Sequence, residues 1–304
     1  MAHPVPSTET LIFGSHHQAR VQVVRHTSLA SSVLCGAAGG AADRTGLMLW
    51  PGARALCRAI LACPALADTL VLELGAGAGV CSAVAAVHAP AAVITTDGDP
   101  AALELAGATW AANAAGRARR TPWAARVFRW DEAWPAATAA LLQEARALLP
   151  GDPPPVSLPP VTLLASECIY PSTSPACCAH FFAACASLLG QHGRGCLLLS
   201  YVPRAPATSL AMLAAADAAG LHWELWDSAS SAAAQAVGCA ASLGEESGAC
   251  VLRFTRAPPG PRADLAARAR AVFPDAAESI ARAQALREEA EEDARSGAWG
   301  APPV

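Results

Sequence analysis

Two hydrophobic rhythms alternate along most of this chain. Short continuous apolar runs, the signature of strands covered on both faces, occur at residues 70–74, 92–96, 161–166 and 195–200. Residues 126–130, Arg126-Val127-Phe128-Arg129-Trp130, alternate instead and read as a further strand. Alanine- and leucine-rich segments of helical length follow at 80–88, 101–113, 136–148, 176–189 and 209–219. In the second of these Leu103, Leu105, Ala106 and Trp110 supply the apolar face. An earlier helix starts near Pro51 and runs to about residue 62, where Pro64 ends it. Two last strands, 221–226 and 249–256, have a Ser-, Ala- and Gly-rich stretch between them and no helix, which suits an antiparallel edge pair. Strands alternating with helices imply an α/β fold with a mostly parallel sheet and helices on both faces.

The ends of the chain are less regular. Residues 1–20 carry no clear period, and His16-His17 reads as a surface turn. Residues 21–24 look like a short strand, and 27–44 like a loop, so 1–44 is expected to be partly loop or hairpin. From Pro258 the composition changes. Residues 275–295 form an expected helix carrying the acidic cluster Glu288 to Asp293. The domain is therefore placed at 1–257, and 258–304 is read as an acidic tail, helical or disordered, that could face a basic surface.

Composition narrows the chemistry. A 53% apolar fraction is ample for a core, and the net charge of −4 suggests no nucleic-acid footprint. The chain has no lysine, so Schiff-base chemistry and Walker-type phosphate binding are excluded. Its 11 cysteines are odd in number and form no C-x-x-C pair. They read as reduced, buried small side chains, and no metal is expected. No apolar run is long enough to span a membrane. The expected location is cytoplasmic, with the nucleus as the alternative, and the chain is expected to act as a monomer.

The candidate chemistry lies at strand ends. Leu70 to Leu74 runs into Gly75-Ala76-Gly77-Ala78-Gly79, with Glu73 two residues ahead of the first glycine. Glycines let backbone approach a ligand, and the next helix N-terminus offers unpaired N–H groups. The second strand ends at Asp97, placed to accept hydrogen bonds from ribose hydroxyls. Asp99-Pro100 reads as a helix cap. The fourth strand ends in Ser166-Glu167-x-x-Tyr170, which should face the same crevice.

Thr45-Gly46-x-x-Leu49-Trp50-Pro51, E-L-G-A-G-x-G, Asp97, Trp130 and Ser166-Glu167-x-x-Tyr170 follow one another in an order that resembles the seven-strand, methyltransferase-like protein-lysine methyltransferases with a D/E-x-x-Y/F signature. The resemblance implies a Rossmann-like class I methyltransferase sheet with S-adenosyl-L-methionine (SAM) as cofactor. It implies that Trp50 borders the cofactor, that Gly75, Ala76 and Gly77 line its amino-acid and ribose part, and that Asp97 holds the ribose. Glu73 belongs to the same cofactor-binding motif. Trp130 would lie beside the adenine, and Ser166 near the adenine or methionine end. Glu167 and Tyr170 would be the catalytic pair, flanking the acceptor amine, Glu167 orienting it and Tyr170 walling it. The implied function is methylation of lysine on a non-histone protein substrate. Protein histidine is the alternative acceptor, since S-E-x-I-Y also occurs in a related branch, and a non-catalytic binding module is a further one. This chain has Glu where many members have Asp, and Ser166 where alanine or glycine is common.

Overall fold

The computed structural model describes residues 6–13, 19–25, 45–63, 66–114, 121–151, 155, 157–190, 195–226, 249–256 and 273. It opens with a hairpin, β1 (Ser7–Phe13) and β2 (Ala19–Arg25), paired antiparallel as a two-stranded sheet. The strand β1 has no clear sequence signal because Ser7, Glu9, Leu11 and Phe13 share one face, and only the last two are fully buried. A 3₁₀ turn (Thr45–Leu47) leads to α1 (Pro51–Leu61).

Next come β3 (Leu70–Leu74), α2 (Val80–Ala85), β4 (Ala92–Asp97), α3 (Pro100–Ala112) and β5 (Trp123–Val127). They are followed by α4 (Trp134–Leu148), β6 (Val161–Ser166), α5 (Pro175–Gly190), β7 (Cys196–Tyr201), α6 (Pro206–Ala218), β8 (Leu221–Leu225) and β9 (Cys250–Arg256). The main sheet has seven strands in the order β5-β4-β3-β6-β7-β9-β8. The first five are parallel, and β9 runs antiparallel between β7 and β8. This is an α/β sheet, mostly parallel with an antiparallel edge pair, as the resemblance implies.

Alternation along β3 sorts the two cores. Leu70, Leu72 and Leu74 point to the side packed by α4, α5 and α6. Val71 points to the side covered by α1, α2 and the hairpin. Both sides are buried, which is why the parallel strands read as continuous apolar runs.

The strand expected at 126–130 is corrected to Trp123–Val127. Its neighbour β4 ends at Asp97, opposite Val127. The Phe128 N–H still donates to the Asp97 carbonyl, at 3.0 Å, but no strand continues beside it. Phe128 and Trp130 are apolar because the loop after β5 packs inward. Phe128 is buried, and Trp130 meets Phe181 edge-on with ring centroids 4.8 Å apart.

The expected loops at 27–44 and 227–248, the His16-His17 turn and the helix at 275–295 lie outside the described residues. Within 257–304 only Phe273 is described, buried edge-on against Tyr201 with centroids 5.8 Å apart. Among the described residues no helix is long and apolar enough to cross a membrane.

Candidate functional site

Parallel strands that end together leave a crevice at their carboxyl ends, where successive connections leave the sheet to opposite sides. A cavity of about 510 Å³ opens there. All ten residues singled out from the sequence line it: Trp50, Glu73, Gly75, Ala76, Gly77, Asp97, Trp130, Ser166, Glu167 and Tyr170. They come from five separate connections, so the topology assembles the site.

The glycine loop is held from both sides. The Ala76 N–H donates to the Thr96 carbonyl at 2.9 Å. Gly77 has φ +53°, and a Cβ there would lie 2.6 Å from the Gly46 carbonyl oxygen. Only glycine meets both demands. Gly46 belongs to the turn before α1, and the Trp50 indole N–H closes that turn by donating to the Thr45 carbonyl at 2.9 Å.

Four acids line the cavity, Glu73, Asp97, Asp99 and Glu167, and each already holds backbone. Glu73 sits on the α2 side of β3, and its Oε2 accepts the Ser82 N–H at 2.9 Å. The helix α2 has glycine at its N-cap and no side-chain cap of its own, so this strand glutamate satisfies its first turn. Burial pushes the Glu73 carboxyl up to about 7, against the lowering effect of Ser82.

Asp97 accepts the Gly77 N–H through Oδ2 at 2.8 Å and the Asp99 N–H through Oδ1 at 2.9 Å. The carboxylate keeps acceptor capacity beyond these two bonds. Burial raises its pKa, and the N–H groups of Asp99 and Gly77 oppose the shift. Asp99 itself caps α3 by accepting the Ala101 N–H at 2.9 Å, with Pro100 in the first turn.

Glu167 repeats the arrangement on the other side. Its Oε2 accepts the Gly52 N–H at 2.7 Å, capping α1, whose N-cap Trp50 offers no side-chain cap. Its Oε1 meets the Arg204 guanidinium at 2.5 Å. Its backbone is left-handed, φ +49°, and its N–H donates to the Ser200 carbonyl at 2.9 Å. A non-glycine residue in this region stores about 1–3 kcal/mol, sustained here by three fixed partners. Tyr170 follows in a tight turn, closed by the Thr173 N–H donating to the Tyr170 carbonyl at 2.8 Å.

Two polar atoms of cavity-lining residues stay unspent. The Trp130 indole nitrogen and the Ser166 hydroxyl are buried with no hydrogen-bond partner among the described residues. Buried polar groups left this way point to a ligand or water that completes them. A glycine cradle, acids with spare lone pairs and a flat aromatic wall fit a nucleoside-bearing cofactor.

Sequence reasoning missed Arg204, Gly52 and Cys168 as members of the site. Cys168 donates its thiol to the Leu74 carbonyl at 3.1 Å, and burial raises its pKa strongly, so it serves as packing. Among the described residues no cluster of three or more His, Cys, Asp or Glu side chains is placed to hold a metal ion.

No protein-family profile matches the sequence, and no curated protein does. Solved structures do align. An assigned SAM-dependent methyltransferase from Streptococcus mutans aligns at 11% identity over 84% of this chain, TM-score 0.48. This chain spans 57% of that protein's length. A methyltransferase assignment complexed with S-adenosylhomocysteine (SAH) aligns with the same values. A precorrin-6y C5,15-methyltransferase from Geobacter metallireducens aligns at 12% identity over 76% of this chain and 93% of its own, TM-score 0.41. At these identities the likeness is one of general fold, which the strand order above establishes on its own terms.

Proposed function

We propose that this protein is a SAM-dependent N-methyltransferase acting on a nitrogen of a protein side chain. The observation that carries this reading is the convergence of the glycine loop, Asp97, Trp130 and Glu167 on one cavity at the carboxyl edge of a class I methyltransferase sheet. SAM, when bound, supplies a methyl group already activated on a sulfonium, so the protein's task is alignment and exclusion of water.

In this reading Asp97 uses its remaining lone pairs for the ribose hydroxyls. Trp130 lies beside the adenine, and Ser166 offers its hydroxyl near it. Gly75, Ala76 and Gly77 admit the amino-acid and ribose part. Glu73 fixes the loop from behind through Ser82. Trp50 borders the reactive end. Glu167 accepts a hydrogen bond from the acceptor nitrogen and orients it, and Tyr170 walls the opening. The acceptor's proton leaves to water.

Lysine is the acceptor that the resemblance implies. Histidine is the second reading, and the pairing of Glu167 with Arg204 favours it, because that carboxylate is already neutralised. The test is transfer of labelled methyl from SAM to degenerate peptide libraries centred on lysine or on histidine. Wild type labels at least one library, and Glu167→Gln loses labelling while keeping SAM affinity. A wild-type protein that binds SAM but labels neither would instead be a binding module.

A further inference from the structure

Arg204 is presented by a turn built for the purpose. Just beyond β7, the Arg204 N–H donates back to the Val202 carbonyl at 2.8 Å across Pro203. A proline at the centre of so tight a turn fixes its φ and the direction of exit. The guanidinium reaches Glu167 Oε1 at 2.5 Å, and its Cζ lies 5.8 Å from the centroid of the Trp50 ring.

A protonated amine entering the acceptor end would be drawn to two groups, an anionic carboxylate and an electron-rich aromatic face. Both are taken by one cation. The second carboxylate oxygen is held by the Gly52 N–H at 2.7 Å, so removing the cation would not release Glu167 from its place. The Glu167 side chain is 3% exposed, and a charge so buried is poorly screened by solvent.

We propose that Arg204 is a positioning and specificity-determining residue: by neutralising Glu167 and covering Trp50 it makes the acceptor end select an uncharged nitrogen over an ammonium. The proposal rests on the methyl-transfer reading above. Histidine is the protein side chain that fits it, because imidazole is largely neutral near pH 7 and lysine is not. One ring N–H donates to a remaining Glu167 lone pair. The other ring nitrogen attacks, its lone pair forming the new nitrogen–carbon bond. The carbon–sulfur bond breaks with its electrons left on sulfur, and the ring N–H proton then passes to water.

Sinefungin tests this without a known substrate, because an amine-bearing carbon replaces the sulfur of SAM and puts a protonated amine where SAM carries its methyl. Calorimetry gives its affinity and that of SAH for wild type, Arg204→Met, Arg204→Gln and Arg204→Lys. In Arg204→Met the preference for sinefungin over SAH should rise by about fivefold or more, with SAH affinity held within about twofold. Arg204→Lys keeps the charge and the wild-type preference. Adding Glu167→Gln to Arg204→Met abolishes the gain. An unchanged or lower preference in Arg204→Met, or a gain that survives Glu167→Gln, overturns the proposal. Loss of SAH binding in both Arg204→Met and Arg204→Gln also overturns it, by making Arg204 structural. Failure of the wild type to bind SAH is a different result, and removes the methyl-transfer reading itself.

Discussion

Glu73 shows how a single side chain ties stability to the site. Its carboxyl is buried in the sheet, and its pKa rises from 4.5 to about 7. Because the folded-state value lies above the unfolded one, the stabilisation is complete below pH 4.5 and is lost as pH rises through 7. Wild type should lose up to about 3 kcal/mol of stability between pH 5 and pH 8 from this group alone. Glu73→Gln should flatten that part of the slope in urea unfolding. Asp97 shifts in the same direction, so the difference between the two proteins isolates Glu73. An equal slope in both would show that Glu73 is ionised throughout. Gly52 sets a second constraint at this scale. An added Cβ would lie 2.6 Å from both Glu167 Cγ and Ser200 Oγ. Gly52→Ala should cost about 2 kcal/mol of stability and displace Glu167, lowering methyl transfer more than SAM affinity. Equal stability in the variant would contradict the crowding.

Elements that pair with side chains rather than with strands explain what the sequence hid. The outer edge of β2 is not open. The Gln22 N–H donates to Asn113 Oδ1 and the Val24 N–H to Thr109 Oγ1, both at 2.9 Å, so a side chain in the last turn of α3 and the one at its C-cap cover a strand edge. Asn113 returns a bond to the Gln22 carbonyl at 2.7 Å. Asn113→Ala should cost about 1–2 kcal/mol and speed amide exchange at Gln22 and Val24, with SAM affinity unchanged. Unaltered exchange would mean that the hairpin is held by its apolar face alone. The parallel strands were legible because burial on both faces leaves an unbroken apolar run, as in Leu70 to Leu74. The strand at β5 was misplaced because Phe128 and Trp130 are buried in a loop, and burial without pairing has the same apolar pattern. The hairpin strand β1 was missed because its inward face is half Ser and Glu. Glu9 is satisfied there by Arg25, a contact across the hairpin that no local pattern shows. The candidate site was easier to read, because its glycines and acids sit at strand ends in a fixed order. Arg204 was not, since its meaning comes only from a partner 37 residues away.

Across the whole molecule, the sheet brings two helix N-termini to the same edge and caps each with a glutamate, one on a strand and one just past a strand's end. Glu73 holds α2, and Glu167 holds α1. The acids of the cavity are therefore part of the scaffold, which keeps them oriented without a ligand and keeps the cradle open. The central claim is that this cradle binds SAM. Its most direct test is calorimetric titration of the purified protein with SAM, SAH and NADH, beside Asp97→Ala. The account predicts micromolar affinity, on the order of 1–100 μM, for SAM and SAH, no heat with NADH, and loss of at least about tenfold in the variant. Absence of binding by either sulfur compound, or binding that Asp97→Ala leaves intact, would contradict it.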